Sequence, residues 1–126
     1  MEMAEGSSII TYKNRTIIYF DYTNIGKSKE KTLHLIKEGA KIYEEYAKGK
    51  NNSILALTNV TNLQFDMEIL AAFKENNNRV KQLYKKLAIF GVKGLLKAGY
   101  NFVVGLTDQT TKAFNSDIEA KEWLIS

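Results

Sequence analysis

A chain of 126 residues, 44% hydrophobic and 25% charged, has the size and composition of one globular domain, which excludes a fibre or a disordered tract. With no cysteine it has no disulfide framework, thiolate metal site or thiol nucleophile. The net charge of +4 comes from 18 lysines and arginines spread among 14 acidic residues, with Arg15 and Arg79 the two arginines, so a solvated surface is expected rather than a nucleic-acid reader.

The first residues, Met1 to Gly6, lack the basic and apolar regions of a signal peptide. Apolar runs reach about five residues, far short of the roughly 18 needed to span a bilayer. The expectation is a cytoplasmic protein without stable membrane insertion. Residues 1–8 read as a flexible tail and residues 9–126 as the domain. Proline is absent, so turns fall to glycine and asparagine, as at Gly49-Lys50-Asn51-Asn52.

Ile9–Tyr12 and Thr16–Phe20 are short β-rich runs separated by Lys13-Asn14-Arg15, the spacing of a tight hairpin. A polar loop, Asp21 to Gly26, follows. The first helix is predicted from near Ser28 to about Lys48, with Leu33, Ile36, Ala40, Tyr43 and Ala47 as its apolar stripe and Gly49 as its stop. Ser53–Leu57 reads as a strand and Thr58 to Asn62 as a polar loop. Asp66 can cap a second helix that buries Ile69, Leu70, Phe73, Val80 and Tyr84. Asn76-Asn77-Asn78 reads as a solvated, weakly helical turn, although Asn77 falls on the apolar line and would otherwise mark a polar cleft.

Leu87–Phe90, free of polar residues, has the pattern of a central parallel strand covered on both faces. A third helix is predicted from about Lys93 to Leu106, weakened by Gly94, Gly99 and Gly105. Thr111–Phe114 is the last strand. The last helix is capped by Asn115 or Ser116, with Glu119 as capping-box partner and Ile118, Trp123 and Leu124 pointing inward. The order β-β-α-β-α-β-α-β-α implies an α/β domain, with a mostly parallel sheet, one antiparallel edge strand and about four helices.

Three segments carry a family resemblance: Ala56-Leu57-Thr58-Asn59-Val60-Thr61 before a helix; Ala88-Ile89-Phe90-Gly91-Val92 followed by Gly94-Leu95; and Phe114-Asn115-Ser116-Asp117-Ile118-Glu119-Ala120-Lys121-Glu122-Trp123-Leu124. In this order and spacing they resemble the SpoIIAA-like family, relatives of the STAS domain (sulfate transporter and anti-sigma-factor antagonist), over about Ile17 to Leu124. The resemblance implies a bacterial, non-enzymatic adaptor fold. STAS antagonists carry a phosphorylatable serine at the start of the second helix, but the corresponding stretch here, Asn62-Leu63-Gln64-Phe65-Asp66-Met67, has no hydroxyl and no glycine.

Catalytic chemistry is sparse. His34 is the one histidine and has no relay or metal partner at useful spacing, so it reads as a surface residue, and no metal or cofactor is expected. Gly91-Val92-Lys93-Gly94 follows a buried strand and opens the predicted helix. Free N–H groups with Lys93 and Lys97 one turn apart could hold an anion there, although glycines easing a tight strand-to-helix turn are the commoner cause of such a pattern. Ligands of open α/β sheets bind beyond the carboxyl ends of the strands, where Asp21, Thr23, Asn59, Thr61, Asn62, Gly91, Lys93, Gly94 and Lys97 would lie.

The third helix, with Leu95, Leu96, Phe102, Val103 and Leu106, reads as core packing or a lid over the sheet rather than a membrane-facing surface. Tyr19, Tyr22, Tyr43, Tyr46, Tyr84 and Tyr100 read as core-edge packing. The leading expectation is a non-enzymatic regulatory module that binds a protein partner or its own copy as a homodimer. The alternative is a carrier of a small apolar or lipid-like ligand under the third helix, motivated by its glycines and by the fold's similarity to lipid-carrier domains; it would need a cavity of about 300 Å³ or more. A third reading is an enzyme with a carboxylate site at Asp21.

Overall fold

Every strand of the sheet pairs with its neighbour in sequence. The structure is a computed structural model and describes residues 3–95 and 97–126. Strands β1 (Ser7–Tyr12), β2 (Arg15–Asp21), β3 (Ile54–Asn59), β4 (Tyr84–Phe90) and β5 (Thr111–Phe114) lie in the order β1-β2-β3-β4-β5. The β1–β2 pair is antiparallel, in the register Ile9↔Ile18, and the other three pairs are parallel. Four helices join them: α1 (Lys29–Ala47), α2 (Met67–Val80), α3 (Lys97–Leu106) and α4 (Asp117–Ile125). This is the predicted mostly parallel sheet with an antiparallel edge.

The order of the strands decides where the helices go. Right-handed crossovers that always step in one direction must place their helices on one face of the sheet. The core divides accordingly: Ile18, Phe20, Ala56, Leu87 and Ile89 pack with residues of α1, α2 and α3, while Ile17, Leu55, Leu57 and Ala88 pack with Ala120 and Leu124 of α4. Adjacent residues such as Ile17 and Ile18 join opposite clusters because strand side chains alternate in direction.

Local chemistry sets the boundaries. Lys13 and Asn14 both have positive φ (46° and 67°), as the tight turn of a twisted hairpin requires. Ser28 accepts a hydrogen bond from Lys31 N–H, Asp66 from Ile69 N–H and Ser116 from Glu119 N–H, so each of these helices starts on a side-chain cap. Helix α1 ends on Lys48 in the left-handed conformation, with Gly49 (φ 81°) behind it.

Several expectations change. Strand β1 begins at Ser7, because Asp21 N–H donates to Gly6 O (2.7 Å) and carries the pairing past Ile9. Strand β3 runs on through Thr58 and Asn59. Tyr84 belongs to β4, since a 3₁₀ turn at Lys81–Leu83 ends the second helix before it. Asn76, Asn77 and Asn78 are all helical. The predicted third helix is two elements: a 3₁₀ turn at Val92–Gly94, entered through Gly91 at φ 87°, and then α3 from Lys97. Leu96 lies outside the described residues. Ile118 is 64% exposed, because α4 lays Ala120 and Leu124, one turn apart, on the sheet and turns Ile118 to solvent.

Candidate functional site

The carboxyl ends of β2, β3 and β4 finish level, with Asp21, Asn59 and Phe90 as register partners. The ladder continues one residue further into each loop: Tyr22 N–H donates to Asn59 O and Val60 N–H to Phe90 O, both at 3.0 Å. Asn59 is the hub of the side chains. Its Nδ2 donates to Thr23 Oγ1 (2.9 Å) and Tyr19 OH (3.3 Å), and its Oδ1 accepts from Thr61 N–H (3.0 Å) and Thr61 Oγ1 (2.6 Å). Asp21 Oδ1 accepts from Thr23 N–H at 2.8 Å, which fixes the turn that presents Thr23. Gly91 packs directly on Thr61.

Five of the nine sequence-identified residues, Asp21, Thr23, Asn59, Thr61 and Gly91, thus form one hydrogen-bonded and packed unit. Asn62 lies just beyond, exposed and at φ 63°. Gly94 closes the 3₁₀ turn that contains the exposed Lys93, and Lys97 starts α3. The two lysines therefore stand on separate elements, not one turn apart on one helix. A three-residue turn also has too few aligned peptides to supply a helix dipole. The anion reading loses both of its supports.

Ligand crevices in open α/β sheets form where the strand order reverses and adjacent loops diverge to opposite faces. No parallel neighbours reverse here, so the loops after β2, β3 and β4 stay side by side. Helices α1 and α2 also begin at this end. Lys29 joins them by pairing with Asp66 (3.0 Å) and Glu68 (2.9 Å), and Met67 beside this pair is 82% exposed. His34 is exposed on α1. Among the described residues no three His, Cys, Asp or Glu gather as a metal group, and no helix is long and apolar enough to cross a membrane.

A second feature, a cavity of ≈ 60 Å³, lies between the sheet and α1, α2 and α3. Tyr22, Tyr43 and Tyr84 line it and are fully buried, and burial pushes all three phenols above their ordinary range. Their rings join an aromatic network: Phe20–Tyr43 at 5.1 Å, Tyr43–Tyr84 at 5.2 Å and Tyr22–Phe73 at 5.4 Å. Helix α3 closes the cavity with Phe102, Val103 and Leu106, as a lid would. Asn76 and Asn77, both half-buried, also line it, whereas Asn78 of the same helix faces solvent. Asn77 is the asparagine that the sequence reading places on the apolar line, yet Asn76 fits the stripe as well, three residues after Phe73 and four before Val80. The space is about a fifth of what a lipid-like ligand needs.

No family model matches the sequence, and no curated protein matches it. A solved structure does resemble it in shape: an uncharacterized protein from the DUF3478 family with a SpoIIAA-like fold, from Shewanella loihica PV-4. The two superpose with a TM-score of 0.63 over 94% of this chain and 91% of that one, at 16% sequence identity. The mixed five-stranded sheet, the helices on both of its faces and this superposition together give the chain a SpoIIAA-like α/β fold.

Proposed function

We propose that this domain is a non-enzymatic regulatory module that binds a protein partner, either another species or a second copy of itself, in the cytoplasm. The contact surface is the carboxyl end of β2, β3 and β4. The observation that carries the reading is the Asn59 network, which ties the loops after β2 and β3 together, with Gly91 of the third loop packed on Thr61. Loops held in place before binding lose little freedom on association, which favours docking against a macromolecular surface. Met67 supplies an exposed, adaptable apolar contact at the same end. The polar groups of the network bond to one another, so they present a shape rather than an activated nucleophile.

A photocrosslinking amino acid at Met67 or Lys93, introduced in the producing cells, tests this. The control is Glu45, exposed near the far end of α1. We expect one discrete protein adduct from Met67 and Lys93 and none from Glu45, with the Lys93 adduct lost in Met67→Asp. An adduct of two copies would identify the partner as the homodimer. No adduct, or the same adduct from Glu45, would overturn the proposal.

A further inference from the structure

The cavity beneath α3 has a composition that selects its contents. Among the described residues no charged side chain lines it, so a charged molecule entering it would lose hydration without gaining a counter-ion. One wall is a cluster of phenylalanines from the loop before α2, from α2 and from α3, with centroid separations of 5.7 Å for Phe65–Phe73, 6.0 Å for Phe65–Phe102 and 6.1 Å for Phe73–Phe102. The three buried phenols stand across from a helix that should, on packing grounds, offer only apolar groups.

It offers Asn76 instead. Among the described residues its Oδ1 is the one buried side-chain polar atom without a hydrogen-bond partner. An unpaired buried acceptor destabilises a fold, whereas a leucine of similar size there would not. Three successive asparagines add to that cost, since asparagine is a poor helix former. Asn76 and Ile36 border both the cavity and the outer groove between α1 and α2, so these two side chains separate the cavity from solvent on that side.

Size sets the last constraint. The ≈ 60 Å³ present is the liquid volume of about two waters, while an apolar cavity of about 150 Å³ accepts benzene. A ring can therefore enter only if a wall moves. Helix α3 is the wall suited to moving: it is ten residues long, Gly99 leaves only a glycine against Phe65, Gly105 weakens its last turn, and it holds the cavity shut through Phe102, Val103 and Leu106.

We propose that this cavity binds a small neutral aromatic molecule bearing one N–H or O–H donor, with phenol and indole as the probe chemistry. The donor meets Asn76 Oδ1, the ring joins the Phe65–Phe73–Phe102 cluster, and α3 lifts to make room. This site lies beneath the strand-end loops and shares Tyr22 and Val60 with them, but the proposal does not depend on the partner reading.

Calorimetric and NMR titration of the full chain with phenol, indole, toluene and benzoate tests the proposal. We expect saturable 1:1 binding of phenol or indole, at least tenfold tighter than toluene, which lacks the donor, and than benzoate, which is charged. Shifts should centre on Phe102 and Val103. Asn76→Leu should keep or raise the melting temperature and erase the preference for phenol over toluene; if that variant does not fold, Asn76→Ala asks the same question. Absence of saturable phenol and indole binding by the unmodified protein would overturn the proposal. So would an undiminished preference in the Asn76 variant, or shifts confined to residues away from α2 and α3.

Discussion

Gly91 lies so close to Thr61 that a Cβ on the glycine would overlap the threonine hydroxyl oxygen. Gly91 also has φ 87°, a region that disfavours side chains, so two independent demands fall on one position. Gly49 has nearly the same φ (81°) with nothing near its missing Cβ, which makes it the control. We expect Gly91→Ala to lower unfolding free energy by about 2–4 kcal/mol and Gly49→Ala by about 1 kcal/mol. Denaturant titration of the two variants measures the difference, which is the contribution of the close approach to Thr61.

The Asn59 hub makes a stability prediction of its own. Asn59→Leu removes both donor and acceptor and leaves Thr61 and Thr23 without their partner, at an expected cost of about 2–3 kcal/mol. Asn59→Asp keeps the acceptor for Thr61 and loses the donor to Thr23 and Tyr19, so it should fall between Leu and the unmodified protein. An aspartate variant as unstable as the leucine one would show that the Thr61 side of the hub contributes little.

Helix α4 separates packing from exposure between its two faces. Leu124→Ala, at a side chain buried between α4 and the sheet, should cost about 2–4 kcal/mol. Ile118→Ala should change stability by less than about 0.5 kcal/mol. Equal effects at the two positions would contradict the orientation of α4.

The element order could be read from the sequence because hydrophobic period and caps agreed: Ser28, Asp66 and Ser116 each sit where a helix starts. Ile118 was misread because a nine-residue helix buries only Ala120 and Leu124, one turn apart, and apolar identity alone does not select that face. The strand-end residues were found because topology rules place such loops together, yet the Asn59 hub was not. Nothing in Thr58-Asn59-Val60-Thr61 indicates that β3 continues to Asn59, and two residues of strand decide which side chains face Thr23. The break between the 3₁₀ turn and α3 was hidden for a related reason: glycine spacing shows that a tight turn occurs but not whether a helix follows it directly.

At its helix cap Asp66 accepts from Ile69 N–H and pairs with Lys29, and these hold its carboxyl below the ordinary value of 3.8. A carboxylate depressed in the folded state stabilises the fold above its unfolded value and ceases to do so as pH falls through the folded one. Asp66→Ala should therefore destabilise at neutral pH, and the difference from the unmodified protein should shrink below about pH 4. Thermal melts across that range check it; a difference independent of pH would rule out the charged cap.

Tyr22, Tyr43 and Tyr84 behave in the opposite sense. Their phenols are raised in the folded state, chiefly by burial, above the ordinary value of 10.0. Their contribution is complete below pH 10 and declines as pH rises beyond it, because the unfolded chain then releases protons that the folded one retains. Tyrosinate absorbance of the buried group should appear together with loss of far-ultraviolet circular dichroism. Full tyrosinate absorbance with the fold intact would place solvent at these rings.

Strand order has a consequence for how the domain is made. Each strand from β2 to β5 adds to an edge already present, and none is inserted between two earlier ones. As the chain leaves the ribosome the sheet can therefore lengthen in the direction of synthesis, with each strand–helix unit closing over the last. Helix α4 alone reaches back. Its Glu122 bonds Tyr12 and Lys13 of the first hairpin, and Trp123 O and Ser126 receive Lys86 Nζ from β4. The last residues of the domain thus fasten α4 both to the first hairpin and to β4.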